Sequence, residues 1–341
     1  MIVCTTICGE QSEKMDENGR KRITIFGDIF LDIMATDIIK LPTWGTDTLT
    51  NSINMLPGGS AFNTCIHAAK FTELKNYPLI IRLCGAIGTD DSSAQIFKDR
   101  LHEADSIIED GILACAGHRT GKCIVLSSVN DRCFVTDRGV VDAMDLDWFS
   151  YDSLLPTGTE HIHIGGYFNL SNSLRGQLSE FIKNRVSKGV TISITPQFDA
   201  TLIWGGLIEL SPFLTYIICN ENEICAIAKC SNAVEAARLV VNWGLEFVVV
   251  TLGNLGSIVV SSKSENIFRQ DAITVENVVD TTGAGDSFAG AFIVEYTLTK
   301  SINNALLAGS IAAAASISVV GGSVTPPVSA LQKLYCTGSN L

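Results

Sequence analysis

The chain has 341 residues, 46% hydrophobic and 18% charged, the composition of a folded globular protein with a sizeable core, arranged as one large α/β domain or two smaller ones. Its net charge of −12, from 24 Lys and Arg against 36 Asp and Glu, argues against a nucleic-acid or anionic-membrane surface as the main partner, but not against a nucleotide whose phosphates are held by local N–H donors and Mg²⁺. Eleven cysteines form no C-x-x-C pair and no cluster at zinc spacing, and no secretory signal precedes them, so reduced thiols in the cytoplasm are expected.

Residues 1–22 read as a disordered leader, a short apolar start at 2–7 followed by a polar, charged segment. R-I-T-I-F at 22–26 has the pattern of a first buried strand and ends at Gly27-Asp28. On turn chemistry alone Asp28 and Asp32 are turn and cap residues; otherwise they are carboxylates at a strand's C-terminal edge, where open α/β sheets bind ligands. Residues 33–57, with Pro42, Gly45 and several Thr, read as short strands or loops. P-G-G-S-A-F-N at 57–63 opens an amphipathic helix that Ser60 could cap, with Asn63 on its first turn.

A strand at 78–83 runs into G-A-I-G-T-D (85–90) and a helix at 92–102. Residues 121–137 alternate as two strands around Asn130-Asp131, a hairpin signal, with Arg132 and Arg138 nearby. In the strand at 161–164, His161 and His163 share a face; without a third ligand in view they read as packed or surface histidines. A helix at 173–188 and a strand at 190–194 continue the alternation, closed by the turn T-P-Q-F-D-A at 195–200. The strand at 215–219 enters N-E-N-E (220–223), where acidic residues suit a helix start. The strand at 247–251 closes in T-L-G-N-L-G and turns into another at 257–261.

After a β-rich run at 272–279 comes D-T-T-G-A-G-D-S-F-A-G-A-F (280–292). A Gly-rich turn opening a helix presents unpaired N–H groups and the positive end of the helix dipole, a ready anion site. Asp286, among those donors, has the chemistry to accept a proton from a hydroxyl attacking phosphorus. An Ala-rich helix at 303–319 follows and ends at Gly321-Gly322, and its apolar run at 311–320 is too short to span a bilayer.

The stretch 280–288 resembles the C-terminal signature of the ribokinase-like (PfkB-type) carbohydrate kinases. Four more motifs stand in that family's order: G-x-x-x-x-D (27–32), G-G-x-x-x-N (58–63), N-x-x-E (220–223) and T-x-G (251–253). The resemblance implies a doubly wound, Rossmann-like three-layer α/β core in a single domain, 23–335, with a small β-sheet lid inserted at about 34–57 and 111–140. It implies an ATP-dependent phosphotransferase acting on a hydroxymethyl group of a small sugar such as ribose or fructose. A nucleoside kinase, or a catalytically silent nucleotide- or sugar-binding protein on the same fold, is the alternative.

Carried over position by position, Asp286 is the catalytic base and Gly283, Ala284 and Gly285 form the anion hole. Asp32, Gly58, Gly59 and Asn63 hold the acceptor. Asn220, Glu223, Thr251 and Gly253 serve the nucleotide, with Glu223 on Mg²⁺ through water. Asp280 and Thr282 belong to a monovalent-cation (K⁺) site, and the lid pairs two copies as a homodimer. Arg138 would suit an anionic acceptor.

Overall fold

Continuous apolar runs on consecutive strands, such as F-V-V-V at 247–250, need cover on both faces, and the chain meets that need with two helical layers around one sheet. The computed structural model describes residues 4–6, 20–89, 93–103, 107–128, 132–149, 154, 156, 158–186 and 189–338. Among them the strands are β1 (Cys4–Thr6), β2 (Lys21–Gly27), β3 (Phe30–Ala35), β4 (Ile53–Gly58), β5 (Leu79–Gly88), β6 (Ile108–Cys115), β7 (Gly121–Ser127), β8 (Arg132–Asp137), β9 (Thr159–Gly165), β10 (Thr191–Thr195), β11 (Tyr216–Asn220), β12 (Phe247–Thr251), β13 (Ser257–Ser261) and β14 (Ser264–Gln270). The large sheet has the order β1-β6-β5-β2-β9-β10-β11-β12-β13-β14. From β6 to β12 neighbouring strands are parallel; β1, β13 and β14 add antiparallel edges.

The longer helices are α1 (Ser60–Lys75), α2 (Ala94–His102), α3 (Asn172–Val186), α4 (Glu221–Ala228), α5 (Ala233–Val241), α6 (Ala284–Thr299), α7 (Ile302–Ser316) and α8 (Val328–Gly338). Ile25, Leu83, Ile218 and Val249 face a layer holding α1, α2, α6 and α7, whereas Phe26, Ile164, Ile194, Ile217 and Val248 face α3, α4 and α5. The period-two alternation of the strands thus sorts the core into two halves. The expected doubly wound three-layer core is present.

The packing of α6 matters most for the site. Phe288, Phe292 and Tyr296 recur every four residues, so they share one face and stack along it at 5.9 and 6.0 Å. That face meets Tyr216 and Phe247 of the sheet at 5.7 and 6.3 Å from Phe292. Removing a buried ring such as Phe292 costs about 3–5 kcal/mol. On its other side α6 approaches α1 backbone to backbone: a Cβ on Gly290 would stand 2.7 Å from the Thr64 carbonyl oxygen. The two helices that open at the site are therefore held in one fixed relation.

Several expectations are corrected. The leader contributes an edge strand, β1, antiparallel to β6, because its β-branched start finds the open edge of β6; the other residues up to 19 lie outside the described ones, and Lys21 and Arg22 already belong to β2. The four-stranded lid, β4-β3-β7-β8, begins at Phe30 and not at 34. Residues 111–115 belong to β6 in the large sheet, where Gly111 pairs with Cys84. The tip at Asn130-Asp131 lies outside the described residues, as do Asp90, Asp91 and Ser92, and α2 begins at Ala94. The run at 272–279 forms no strand, and Val278 and Val279 are exposed. The edge strand is the polar β14, which an apolar-run criterion passes over. The final core helix is α7, which stops at Ser316.

Candidate active site

Strand β2 connects to β5 on one side and neighbours β9 on the other, so the chain reverses its winding direction between β2 and β9. Such a switch point leaves a crevice beyond the strands' C-terminal ends. Here Gly27 and Gly165 pair in register, and α1 begins directly above them. A Cβ on Gly165 would stand 2.6 Å from the Ala61 nitrogen, so the glycine lets the helix start enter the crevice.

Asp28 braces that entry. Its carboxylate accepts from the Ala61 N–H (3.0 Å) and from Asn169 Nδ2 (2.6 Å), and burial pushes it up to about 6. The turn and cap reading of Asp28 is the one its contacts fit. Gly59 follows at φ 94, where a Cβ would meet the Asp28 carbonyl at 2.6 Å.

At the crevice the N-termini of α1 and α6 converge. Gly283, at φ 75, precedes α6, and Asp286 lies in the helix's first turn. Its Oδ1 accepts from Ser60 Oγ (2.8 Å) and Gln197 Nε2 (3.0 Å), and its Oδ2 from Asn63 Nδ2 (3.0 Å). Gln197 also donates to Ser60 Oγ at 3.1 Å. Burial raises the Asp286 carboxyl to about 7, and the charges of Asp28 and Glu223 act in the same direction; the Asn63 and Ser60 bonds oppose them. Among the described residues, the N–H groups of Gly285 and Asp286 have no backbone partner, and nothing would stand within 4 Å of a Cβ on Gly285. The loop therefore offers donors and open space together.

Asp32 lies on lid strand β3, buried, with the Gly58 backbone against its carboxylate. Burial, then the charges of Asp28, Asp286 and Asp280, push it up to about 8. Asp280 accepts one hydrogen bond on each oxygen: Oδ1 from the Thr282 N–H and Oδ2 from the Gly321 N–H, both at 2.9 Å. Thr282 Oγ1 is buried without a hydrogen-bond partner.

Asn220 and Glu223 form a reciprocal capping box at the start of α4, with Asn220 Oδ1 accepting from the Glu223 N–H at 2.9 Å and Glu223 Oε2 from the Asn220 N–H at 3.1 Å. Burial raises the Glu223 carboxyl to about 7. Thr251 pairs with Asn220 across the parallel ladder, and its hydroxyl donates to the Cys219 carbonyl at 3.5 Å. Gly253 starts an exposed turn at φ 59.

The structure thus gathers Asp286, Asn63, Gly59, Gly283 and Asp32 at one crevice, with Asn220, Glu223 and Thr251 at neighbouring strand ends. Ser60 and Gln197 escaped sequence reasoning as site residues. Ser60 sits between the paired glycines and Asn63, a position that invited attention. Gln197 follows Pro196 at the end of β10, and strand-end placement was its only signal. Arg132, from the lid, donates to Thr281 Oγ1 in the glycine loop, whereas Arg138 is paired with Asp142 at 2.8 Å. His161 and His163 are packed histidines: both are buried, bonded to Thr191, Ser193 and Thr195, and burial drives both well down, His163 to about 3. Among the described residues no group of three or more His, Cys, Asp or Glu side chains could hold a metal ion, and no helix is long and apolar enough to cross a membrane.

A switch-point crevice with a glycine-loop helix start and a buried carboxylate beside it has the features that phosphoryl transfer needs. Residues 27–328 match the model of the pfkB family of carbohydrate kinases. The chain belongs to that family and is an ATP-dependent kinase. It is 24% identical over 289 residues to the adenosine kinase of Schizophyllum commune, covering 80% of this chain and 82% of that one. Its fold is similar to the Arabidopsis thaliana ribokinase complexed with ribose and ATP, at a TM-score of 0.76 and 21% identity over 93% of this chain and 98% of that one. It is also similar to an E. coli protein of ribokinase type solved in complex with ATP and Mg²⁺, at a TM-score of 0.75 and 20% identity, covering 93% and 99%.

Proposed function

We propose that this kinase transfers the γ-phosphoryl group of ATP to the primary hydroxyl of an uncharged sugar or nucleoside, with Asp286 as general base. One observation carries the reading: a buried carboxylate at about neutral pKa stands in the first turn of α6, beside N–H groups that have no backbone partner. A base matched to neutral pH and an anion hole are the two things phosphoryl transfer asks of a protein.

Asp286 takes the hydroxyl proton while Ser60, Asn63 and Gln197 fix the plane of its carboxylate. Asp32, protonated at neutral pH, can donate to one acceptor oxygen and accept from another. Gly58 and Gly59 bring the backbone close to the acceptor. The N–H groups of Gly283, Gly285 and Asp286, which have no backbone partner among the described residues, stabilise charge on the transferred group, whereas the Ala284 N–H donates to the Thr281 carbonyl at 3.3 Å. Thr251 and Gly253 stand on the nucleotide-phosphate side.

Mg²⁺ favours oxygen ligands and is commonly held by one or two carboxylates plus substrate phosphates. A lone buried Glu223 carboxylate, fixed through Asn220, fits that pattern with water between. When bound, the ion neutralises phosphate oxygens. Thr282 Oγ1 is an unpartnered buried oxygen beside Asp280, which supports K⁺ at that place.

The charges of Asp28, Asp286 and Asp280 add to burial in raising Asp32, so the crevice disfavours added negative charge, and Arg138 is paired with Asp142. Both points favour a neutral acceptor over a sugar acid. A nucleoside has a specific observation in its favour: Phe198, next to Gln197, is 62% exposed, an apolar surface for a base. The exposed Ile53, Met55, Phe134 and Val135 of the lid support pairing with a second copy. Free cysteines throughout the described core support the cytoplasm.

The test is ADP release from Mg-ATP across sugars, sugar acids and nucleosides, with Asp286→Asn as the blank. Turnover with a neutral acceptor that vanishes in the variant supports the reading. Turnover only with acids removes the neutral acceptor, and a variant as active as wild type removes Asp286 as base.

A further inference from the structure

His67 lies one helical turn beyond Asn63 on α1, so the two side chains project from the same face. It is buried, and its Nε2 lies 2.8 Å from the carbonyl oxygen of Gly322. A carbonyl only accepts, so the imidazole donates from Nε2, which sets its tautomer. Burial lowers its pKa to about 4, in keeping with a neutral ring.

Gly322 is in contact with two parts of the catalytic apparatus. A Cβ on Gly283 would come 2.5 Å from Gly322 Cα, and a Cβ on Gly322 would come 2.7 Å from Asn63 Nδ2. Gly322 therefore forms the floor under both the residue that opens the anion-hole helix and the amide that holds Asp286. The segment carrying it is tied at its other residues too: the Gly321 N–H to Asp280 and Ser323 Oγ to the Pro57 carbonyl. The His67 bond is the tie that acts on Gly322 itself.

We propose that His67 is a positioning residue for phosphoryl transfer: by holding the Gly322 carbonyl it sets the height of Gly283 and the Asn63 amide, and through them the anion-hole N–H groups and Asp286. It touches neither substrate. The inference rests on the kinase reading for its effect on rate, but the mechanical link stands apart from it.

The experiment compares His67→Leu, His67→Gln and His67→Asn in the full chain. Leu fills the volume without a donor. A Gln side-chain nitrogen reaches about where Nε2 stands, whereas that of Asn falls short. For His67→Leu, kcat per folded molecule should fall by about tenfold or more, with the KM values for ATP and acceptor within about threefold, because misplacement costs rate more than binding. His67→Gln should recover most of kcat and His67→Asn should not. Should His67→Leu fail to fold, the Gln and Asn pair decides. Full kcat in His67→Leu, or equal loss in the Gln and Asn variants, overturns the proposal.

Amide hydrogen exchange gives a readout free of turnover. Residues 280–288 and 319–324 should exchange faster in His67→Asn than in His67→Gln, and equal exchange overturns the link. A wild-type chain without turnover on any acceptor would sink the kinase reading instead, and the exchange result would still decide whether His67 governs the loop.

Discussion

Asn63 and Asp286, 223 residues apart in the chain, share a 3.0 Å hydrogen bond at the convergence of two helix N-termini. The bond joins the motif expected to hold the acceptor to the motif expected to hold the phosphoryl group. Asn63 is thus a support of the Asp286 carboxylate as well as a candidate for the acceptor, with its Oδ1 buried and without a partner.

Replacing Asp286 with Asn removes the proposed base without changing its shape. The expected outcome is a fall in kcat of about 10²–10⁴-fold. ATP affinity, read by equilibrium binding, should stay within a few-fold because the N–H donors of the loop survive.

The pH profile follows from the same group. The Asp286 carboxyl sits at about 7 against an ordinary 3.8, so kcat/KM should rise with pH and level off above about 7. Stability should move the other way. A carboxyl raised by folding contributes fully below its unfolded value and loses that contribution as pH rises through the folded value. Thermal melts from about pH 5 to 8 should therefore show wild type losing more stability than Asp286→Asn. A parallel pair of curves would show that Asp286 is not held near neutrality.

Ser60→Ala removes one of the donors that lower the Asp286 pKa. The inflection in kcat/KM should move up by a few tenths to about one unit. An unmoved inflection with an intact fold would show that the Ser60 bond does not act on the base.

Arg132→Gln cuts the lid's bond to Thr281 in the glycine loop. Since the bond is exposed, melting temperature should hardly change. Turnover should drop by roughly tenfold, and ATP hydrolysis without acceptor should rise relative to transfer if the lid shields the site. Equal effects on both would count against a shielding role.

The order of strands and helices was legible because period-two and helical patterns are local, and the apolar runs of β2, β11 and β12 are strong. What escaped was decided at edges. The three residues of β1 become a strand only because β6 offers unpaired groups, and β14 is polar because one of its faces meets solvent. The lid boundaries shifted for the same reason: β3 looks like any short β run until its partner is known to be β7, 91 positions on in the ladder from Phe30 to Gly121.

The family resemblance, the motifs and the residue types of the chemistry are legible in the chain itself, since a glycine loop, a carboxylate and a helix start are written in adjacent positions. Which groups act on one another depends on the packed molecule. Packing places Ser60 and Gln197 on Asp286, sets Asp28 against the start of α1, pairs Arg138 with Asp142 at the surface, and turns His67 to Gly322. Hydrogen bonds and burial depend on distances across the crevice, and those distances are set by how α1 and α6 pack on the sheet, which no local pattern records.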